Sequence, residues 1–219
     1  MRTAVRRSWD VPVPLGQGAA TITGPLTTVV DCAHLLPGRD ALAIADAALR
    51  AGLIRREDLA RVVTSLGRRS GTARARRVLQ LADGRRESPL ESWSAWEFDV
   101  AGLPAPRWQV TILRASQGFV ARVDCFWDVG LVGEADGRAK ARLHRATRKG
   151  WSVDGVGRVL EDERQRESQL RDCHLHVIRW SARDLLDEVR CRRLIADLRR
   201  RLAELGDTPA RLVPDAQIF

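Results

Sequence analysis

Three carboxylates stand where a sheet-forming sequence rarely keeps them. The stretch RVDCFWDVGLVGEADGRAK, residues 122 to 140, reads as two short apolar strands around a tight turn, with Asp124, Glu134 and Asp136 inside the strands. Unpaired charge in such a setting is costly, so buried carboxylates are normally paired or bound to a cation. Strand side chains alternate faces. That groups Asp124 with Val120, Arg122 and Phe126, and Glu134 with Val132 and Asp136. Asp124 and Glu134 each lie five residues from Val129, the middle of the turn, so antiparallel pairing sets them directly opposite. Like charges facing across a ladder repel. A divalent cation reverses that penalty. Mg²⁺ (or Mn²⁺) takes hard oxygen ligands, typically one or two carboxylates beside substrate phosphate. The chemistry that follows is phosphodiester hydrolysis. Ordinary pairing competes with it: Asp124 with Arg122 or Arg138, and Asp136 with Gly137 as a turn at the strand end.

Further residues group around this stretch. Glu91 is a fourth acid, and Ser88-Pro89-Leu90-Glu91 also matches a capping box in which Glu91 reaches back to the Ser88 backbone N–H. Lys140, four residues past Asp136, is placed to orient a water or stabilise charge on phosphate, or else is solvated. Glu163, Arg166 and Glu167 fall on neighbouring turns of one helix, where surface ion pairs account for them and a cleft lining is the alternative. ARLHRATRKGW, residues 141 to 151, carries Arg142, Arg145, Arg148 and Lys149 and ends in Trp151. Such a segment suits a phosphate backbone with one base-stacking ring.

The elements that must position these groups follow from periodicity and punctuation. Residues 1 to 23 read as short extended pieces, and 24 to 83 as four short helices, the first opened by Pro25 and the second closed by Gly52. DGRRESP at 83 to 89 is a polar break, taken as a boundary after residue 85. Beyond it come a helix from Ser88 to Gly102, three strands (Trp108–Leu113, Phe119–Trp127, Leu131–Asp136), a loop, a mixed-charge helix, a strand HLHVIRW carrying His174 and His176, and one long helix opened by Ser181 with Asp184. The expected architecture is α/β: an α-β-β-β-α-β layer over residues 86 to 206, preceded by a small mostly helical region (1 to 85), with a loosely held tail (207 to 219).

Composition sets the partners. Lys and Arg total 37 against 28 Asp and Glu, a net charge of +9, and only Lys140 and Lys149 are lysines. Arginine's planar fork suits phosphate, which points to nucleic acid. Genome base composition accounts for part of the arginine excess but not for the net charge. The four cysteines, Cys32, Cys125, Cys173 and Cys191, form no CxxC pair, so zinc-site spacing is absent and free thiols are expected. No apolar run is long enough for a membrane helix, and no signal peptide is recognisable, so a cytoplasmic location is expected.

DCFW, LVGEADGRAK and EDERQRESQLRDCHLHVIRWSARDL together resemble a family of uncharacterised bacterial proteins related to very short patch repair endonucleases, within the restriction-endonuclease-like PD-(D/E)XK group. The resemblance covers roughly residues 86 to 204. It implies the same α-β-β-β-α-β core, a Mg²⁺-dependent DNA endonuclease activity, and a site built on Glu91, Asp124, Glu134, Asp136 and Lys140, with Asp124, Glu134 and Asp136 as metal ligands and Gln109 as a nucleic-acid contact. Asp136 stands where many members of the wider group have lysine, and His174 where a turn glycine is usual. The helical first half, through TTVVDCAHLL and ALAIADAALRAGLIRREDL, is similar to the C-terminal part of AbiEi-type antitoxin regulators. In those proteins a winged-helix module often comes first, and the expectation from this resemblance is that the chain starts too late to contain one. That similarity keeps a second expectation open: a catalytically inactive nuclease-fold regulator, binding DNA and a toxin or other protein partner, alone or as a homodimer.

Overall fold

The computed structural model describes residues 11–15, 18–68, 70–114, 118–136, 164–206 and 216–219. The protein is a mixed α/β chain of two compact units, residues 1–96 and 97–219. Among the described residues no helix is long and apolar enough to cross a membrane.

The first unit opens with a hairpin, β1 (Val11–Leu15) antiparallel to β2 (Gly18–Ile22). Four helices follow: α1 (Pro25–Leu35), α2 (Gly38–Arg50), α3 (Arg56–Ser65) and α4 (Thr72–Leu81). Small and branched residues let α1, α2 and α4 close on one another, with Val30, Ala33, Ala41, Leu42, Ala45, Ala75 and Val78 almost wholly buried. Gly38 has no room for a Cβ, which would stand 2.0 Å from the Trp96 ring.

A charged pair lies inside this unit. Asp46 on α2 and Arg86 are each 1% exposed. Arg86 grips Asp46 with Nε at 2.6 Å and Nη2 at 2.9 Å, and also donates Nη2 to the Leu81 carbonyl at 2.7 Å. The Asp83 backbone N–H (2.7 Å) and the Ser92 hydroxyl (2.6 Å) donate to the same carboxylate. Desolvation is offset here because each Asp46 oxygen accepts two hydrogen bonds. The polar break at 83 to 89 is thereby tied into the first unit, and the two units divide between Trp96 and Glu97.

That division falls within α5 (Pro89–Val100). The second unit continues with β3 (Arg107–Arg114), β4 (Gly118–Trp127), β5 (Leu131–Ala135), a helix α6 over residues 164–172, β6 (His176–Trp180), α7 (Ala182–Leu186), α8 (Glu188–Leu205) and β7 (Ala216–Ile218). The sheet order is β6-β5-β4-β3-β7. Strands β3, β4 and β5 form an antiparallel meander, β6 joins β5 in parallel, and β7 pairs antiparallel with β3.

Neighbouring residues of β5 point to opposite faces. Gly133 faces Cys125 and Trp180; a Cβ there would stand 2.5 Å from Cys125 Sγ and 2.6 Å from the Trp180 ring. On α5, Phe98 packs its ring against Trp127 (5.7 Å) and Trp180 (5.4 Å). Arg199 of α8 donates to the Ala101 carbonyl, just past the end of α5. Glu134 points the other way, toward α6, whose Leu170 is fully buried in a cluster with Phe126 and Val132.

Three expectations change in the structure. The tail is not wholly loose, because Ala216–Ile218 forms the edge strand β7. His174 lies outside the strand, in a turn with φ 61, so only His176 belongs to β6. The single long C-terminal helix is two. Ser181 and Asp184 cap α7 reciprocally, and then Asp187 leaves the helical region (φ −92, ψ 121) to accept from the Val189 and Arg190 N–H groups and start α8. A second good N-cap in mid-run outcompetes helix continuation.

Two outcomes follow. Asp46→Ala strands Arg86 in the core and lowers stability by about 3–5 kcal/mol, readable in urea unfolding. The Ser181 N–H, bonded to Asp184, holds that carboxyl below its ordinary value, against a smaller upward push from burial. A depressed pKa makes the cap's contribution complete above the unfolded value and lost as pH falls through the folded one. Asp184→Ala thus costs about 1 kcal/mol near neutrality, and its difference from wild type disappears in acid, as paired unfolding curves at the two pH values would show.

Candidate functional site

The β4–β5 ladder pairs Trp127 with Leu131, Phe126 with Val132 and Cys125 with Gly133. The next step in that register sets Asp124 beside Glu134. Both are nearly buried, Asp124 at 7% and Glu134 at 9% exposure. Asp124 Oδ2 accepts the Ala135 backbone N–H at 2.9 Å. Glu134 Oε1 accepts Arg166 Nη2 at 2.6 Å, and the same nitrogen donates to the Arg122 carbonyl at 2.8 Å. Arg166, which donates to Glu134, belongs to α6. On the far side of Glu134 the parallel register places Arg179 of β6. Arg179 donates to Glu167 Oε2 at 3.1 Å, and Glu167 is also bonded by Arg171.

On the other flank, the β3–β4 ladder steps from Trp108↔Cys125 to Val110↔Val123, so Gln109 occupies the rung beside Asp124. Its φ of 55 lies in the left-handed region, which costs a non-glycine residue about 1–2 kcal/mol. Gln109, Asp124, Glu134 and Arg179 thus follow one another across four adjacent strands.

The other sequence candidates stand differently. Asp136 is exposed and just beyond β5, with its N–H donating to the Trp180 carbonyl at 2.6 Å, so it lies at the strand end rather than within the strand. Glu91 is 1% exposed at the start of α5 in the first unit. Its Oε1 accepts the Ser88 hydroxyl at 2.7 Å and its Oε2 the Glu87 N–H at 3.0 Å. The carboxylate caps the helix, but through Glu87 N–H, one residue earlier than the box predicts. Lys140, Arg142, Arg145, Arg148, Lys149, Trp151 and Glu163 lie outside the described residues. The four cysteines are free thiols.

Among the described residues no group of three or more His, Cys, Asp and Glu side chains could hold a metal. The strands present two carboxylates on this face among the described residues, Asp124 and Glu134. A closed zinc site wants four nitrogen or sulfur ligands and does not fit. Mg²⁺ or Mn²⁺, which keeps waters and takes one or two carboxylates, does. Sequence spacing found both acids. It left Arg166 open between surface pairs of its own helix and a cleft lining, because nothing in the spacing of 164 to 172 indicates that α6 docks over β4 and β5.

In fold class the protein is a mixed α/β one, with a helical unit ahead of a five-stranded mixed sheet. Among known proteins it is similar to the uncharacterised proteins MT2308 and Rv2248 of two Mycobacterium tuberculosis strains, CDC 1551 / Oshkosh and ATCC 25618 / H37Rv. Each is 33% identical over 160 residues, which covers 68% of this chain and 58% of the relative. The chain thus matches less than two thirds of the length of these curated relatives. No family model matches the sequence, and no solved structure matches it.

Asp124 has a structural duty whatever its chemistry. Asp124→Ala leaves the buried Ala135 N–H without that acceptor and costs about 1–3 kcal/mol. Asp124→Asn keeps an acceptor and costs clearly less. Urea unfolding of the two variants in EDTA would show the order.

Proposed function

We propose that the protein is a metal-dependent nuclease-like phosphodiester hydrolase acting on DNA, with a restriction-endonuclease-like core formed by α5, β3, β4, β5, α6 and β6. One observation carries this reading: two nearly buried carboxylates, Asp124 and Glu134, sit side by side on neighbouring strands of one sheet face. Side-by-side like charges in a poorly solvated place are costly, and a hard divalent cation is the ligand that removes the cost. When bound, Mg²⁺ or Mn²⁺ supplies Lewis-acid polarisation of a phosphoryl oxygen and a more acidic water. Asp124 and Glu134 would hold it, each already fixed by a hydrogen bond, from Ala135 N–H and from Arg166. Gln109, on the flanking strand β3, would meet the nucleic acid. The net charge of +9 favours a polyanion by long-range attraction. Lys140 follows in sequence as the water-positioning group, whereas Asp136, exposed beyond the end of β5, is not counted among the ligands. Glu91 is assigned to its cap. A DNA substrate accords with a cytoplasmic site of action.

A second reading has its own observation. Arg166 already answers Glu134, and the position where the wider group has lysine is Asp136. A retired nuclease core, joined to an AbiEi-like helical region and binding DNA or a protein partner without metal, would look the same on these points.

Supercoiled plasmid incubated with purified protein and Mg²⁺, Mn²⁺ or EDTA separates the two. The nuclease reading expects nicking that requires metal and falls at least roughly a hundredfold, equivalent to about 2.7 kcal/mol, in both Asp124→Asn and Glu134→Gln. It also expects Mg²⁺ to raise the melting temperature of wild type but not of Asp124→Asn. No nicking and no metal-linked shift in melting, with DNA binding equal in wild type and Asp124→Asn, would establish the second reading instead.

A further inference from the structure

We infer that Arg166 is a positioning residue for Glu134, holding its carboxylate in the orientation that a divalent cation requires; this rests on the metal-dependent reading above. One nitrogen, Arg166 Nη2, joins three elements: its own helix α6, the Arg122 carbonyl of β4 at 2.8 Å, and Glu134 Oε1 of β5 at 2.6 Å. Arg122 lies two residues before Asp124, so the strand that carries one acid of the pair anchors the group that holds the other.

The carbonyl bond matters because it does not involve the carboxylate. A guanidinium held only by Glu134 would follow that side chain wherever it moved. Held by the backbone as well, it becomes the fixed member, and the carboxylate is positioned against it. The helix is fixed in turn. Leu170, one turn beyond Arg166, is fully buried against Phe126 and Val132. Glu167, the next residue, is bonded to Arg179, which sits in register with Glu134 on β6. Helix α6 is therefore tied to β4, β5 and β6 close to the acids. The Arg166–Glu134 pair is also more than a surface contact, with the two side chains only 26% and 12% exposed, and exposed pairs are the ones that hold little. Hydrogen-bonded partners behind a ligating carboxylate commonly set metal affinity.

The sign of a substitution separates this role from that of a mere counter-ion. Arg166→Gln removes a positive charge beside the acids. If Arg166 only neutralised Glu134 or competed for it, a cation would bind more tightly to the variant. If Arg166 positions Glu134, the cation binds more weakly despite the gain in negative charge.

The test is Mn²⁺ titration by electron paramagnetic resonance or calorimetry on the full chain, for wild type, Arg166→Gln, Arg166→Lys and the control Arg171→Gln, with melting in EDTA alongside. The expected result is a 10- to 100-fold loss of Mn²⁺ affinity in Arg166→Gln, a smaller loss in Arg166→Lys, and wild-type affinity in Arg171→Gln. Equal or tighter binding in a folded Arg166→Gln overturns the inference. Should that variant melt below the working temperature, Arg166→Lys decides: it keeps the charge but loses the fork, so weakened binding supports positioning and unchanged binding overturns it. If wild type itself binds no Mn²⁺, the metal site fails, and the positioning role with it. That outcome appears in the wild-type arm alone and is distinct from a failure confined to Arg166.

Discussion

A carboxylate taken out of water has to be answered by positive charge or by donors, and each unit contains a place where this demand organises its surroundings. In the helical unit Asp46 is answered completely. The Arg86 guanidinium, the Asp83 N–H and the Ser92 hydroxyl supply four hydrogen bonds to its two oxygens. The result joins α2 to the stretch leading into α5. In the sheet unit two carboxylates lie on adjoining strands, where the Ala135 N–H donates to Asp124 and Arg166 donates to Glu134. Asp46 acts as a fastening, whereas two adjacent acids carry a repulsion that a divalent cation would remove. On that ground the proposal rests on Asp124 and Glu134, although Asp46 is the more buried.

The sheet places these acids by simple alternation. Cys125, Gly133 and Trp180 crowd one face, with no space for a side chain at 133, and Phe98 of α5 seals it. Glu134, one residue on from Gly133, must then emerge on the opposite face, which α6 covers. Gln109 extends the same row toward β3 in a left-handed conformation. Strain of that kind persists only where surrounding structure over-determines it, and here flanking rungs 108 and 110 are both paired with β4.

Much of this was legible in advance for local reasons. The order of helices and strands followed from apolar period and from Pro, Gly and capping residues. The facing of Asp124 and Glu134 followed from counting out from a tight turn, because antiparallel register is set by the turn. The errors were also physical. His174 sits among apolar strand formers but occupies a φ of 61 in the turn after α6, where its N–H donates to the Arg171 carbonyl and the Leu175 N–H to the Leu170 carbonyl. Asp187 reads as one more polar residue in a helical run until its carboxylate is seen accepting two N–H groups of the next helix. Ala216–Ile218 is too short to show a strand period, and it is extended because β3 offers it a partner.

By itself, then, the sequence determined the α/β class, the arginine-rich charge and the juxtaposition of two acids on a meander, all of which depend on residues close together in the chain. What only the tertiary structure decided was which cation meets which acid. Arg86 lies 40 residues from Asp46, and Arg166 lies 32 from Glu134. No periodicity spans such intervals. The pairing is set when whole elements dock, and the docking is driven by apolar contacts such as Leu170 against Val132, which carry no record of the charges they bring together.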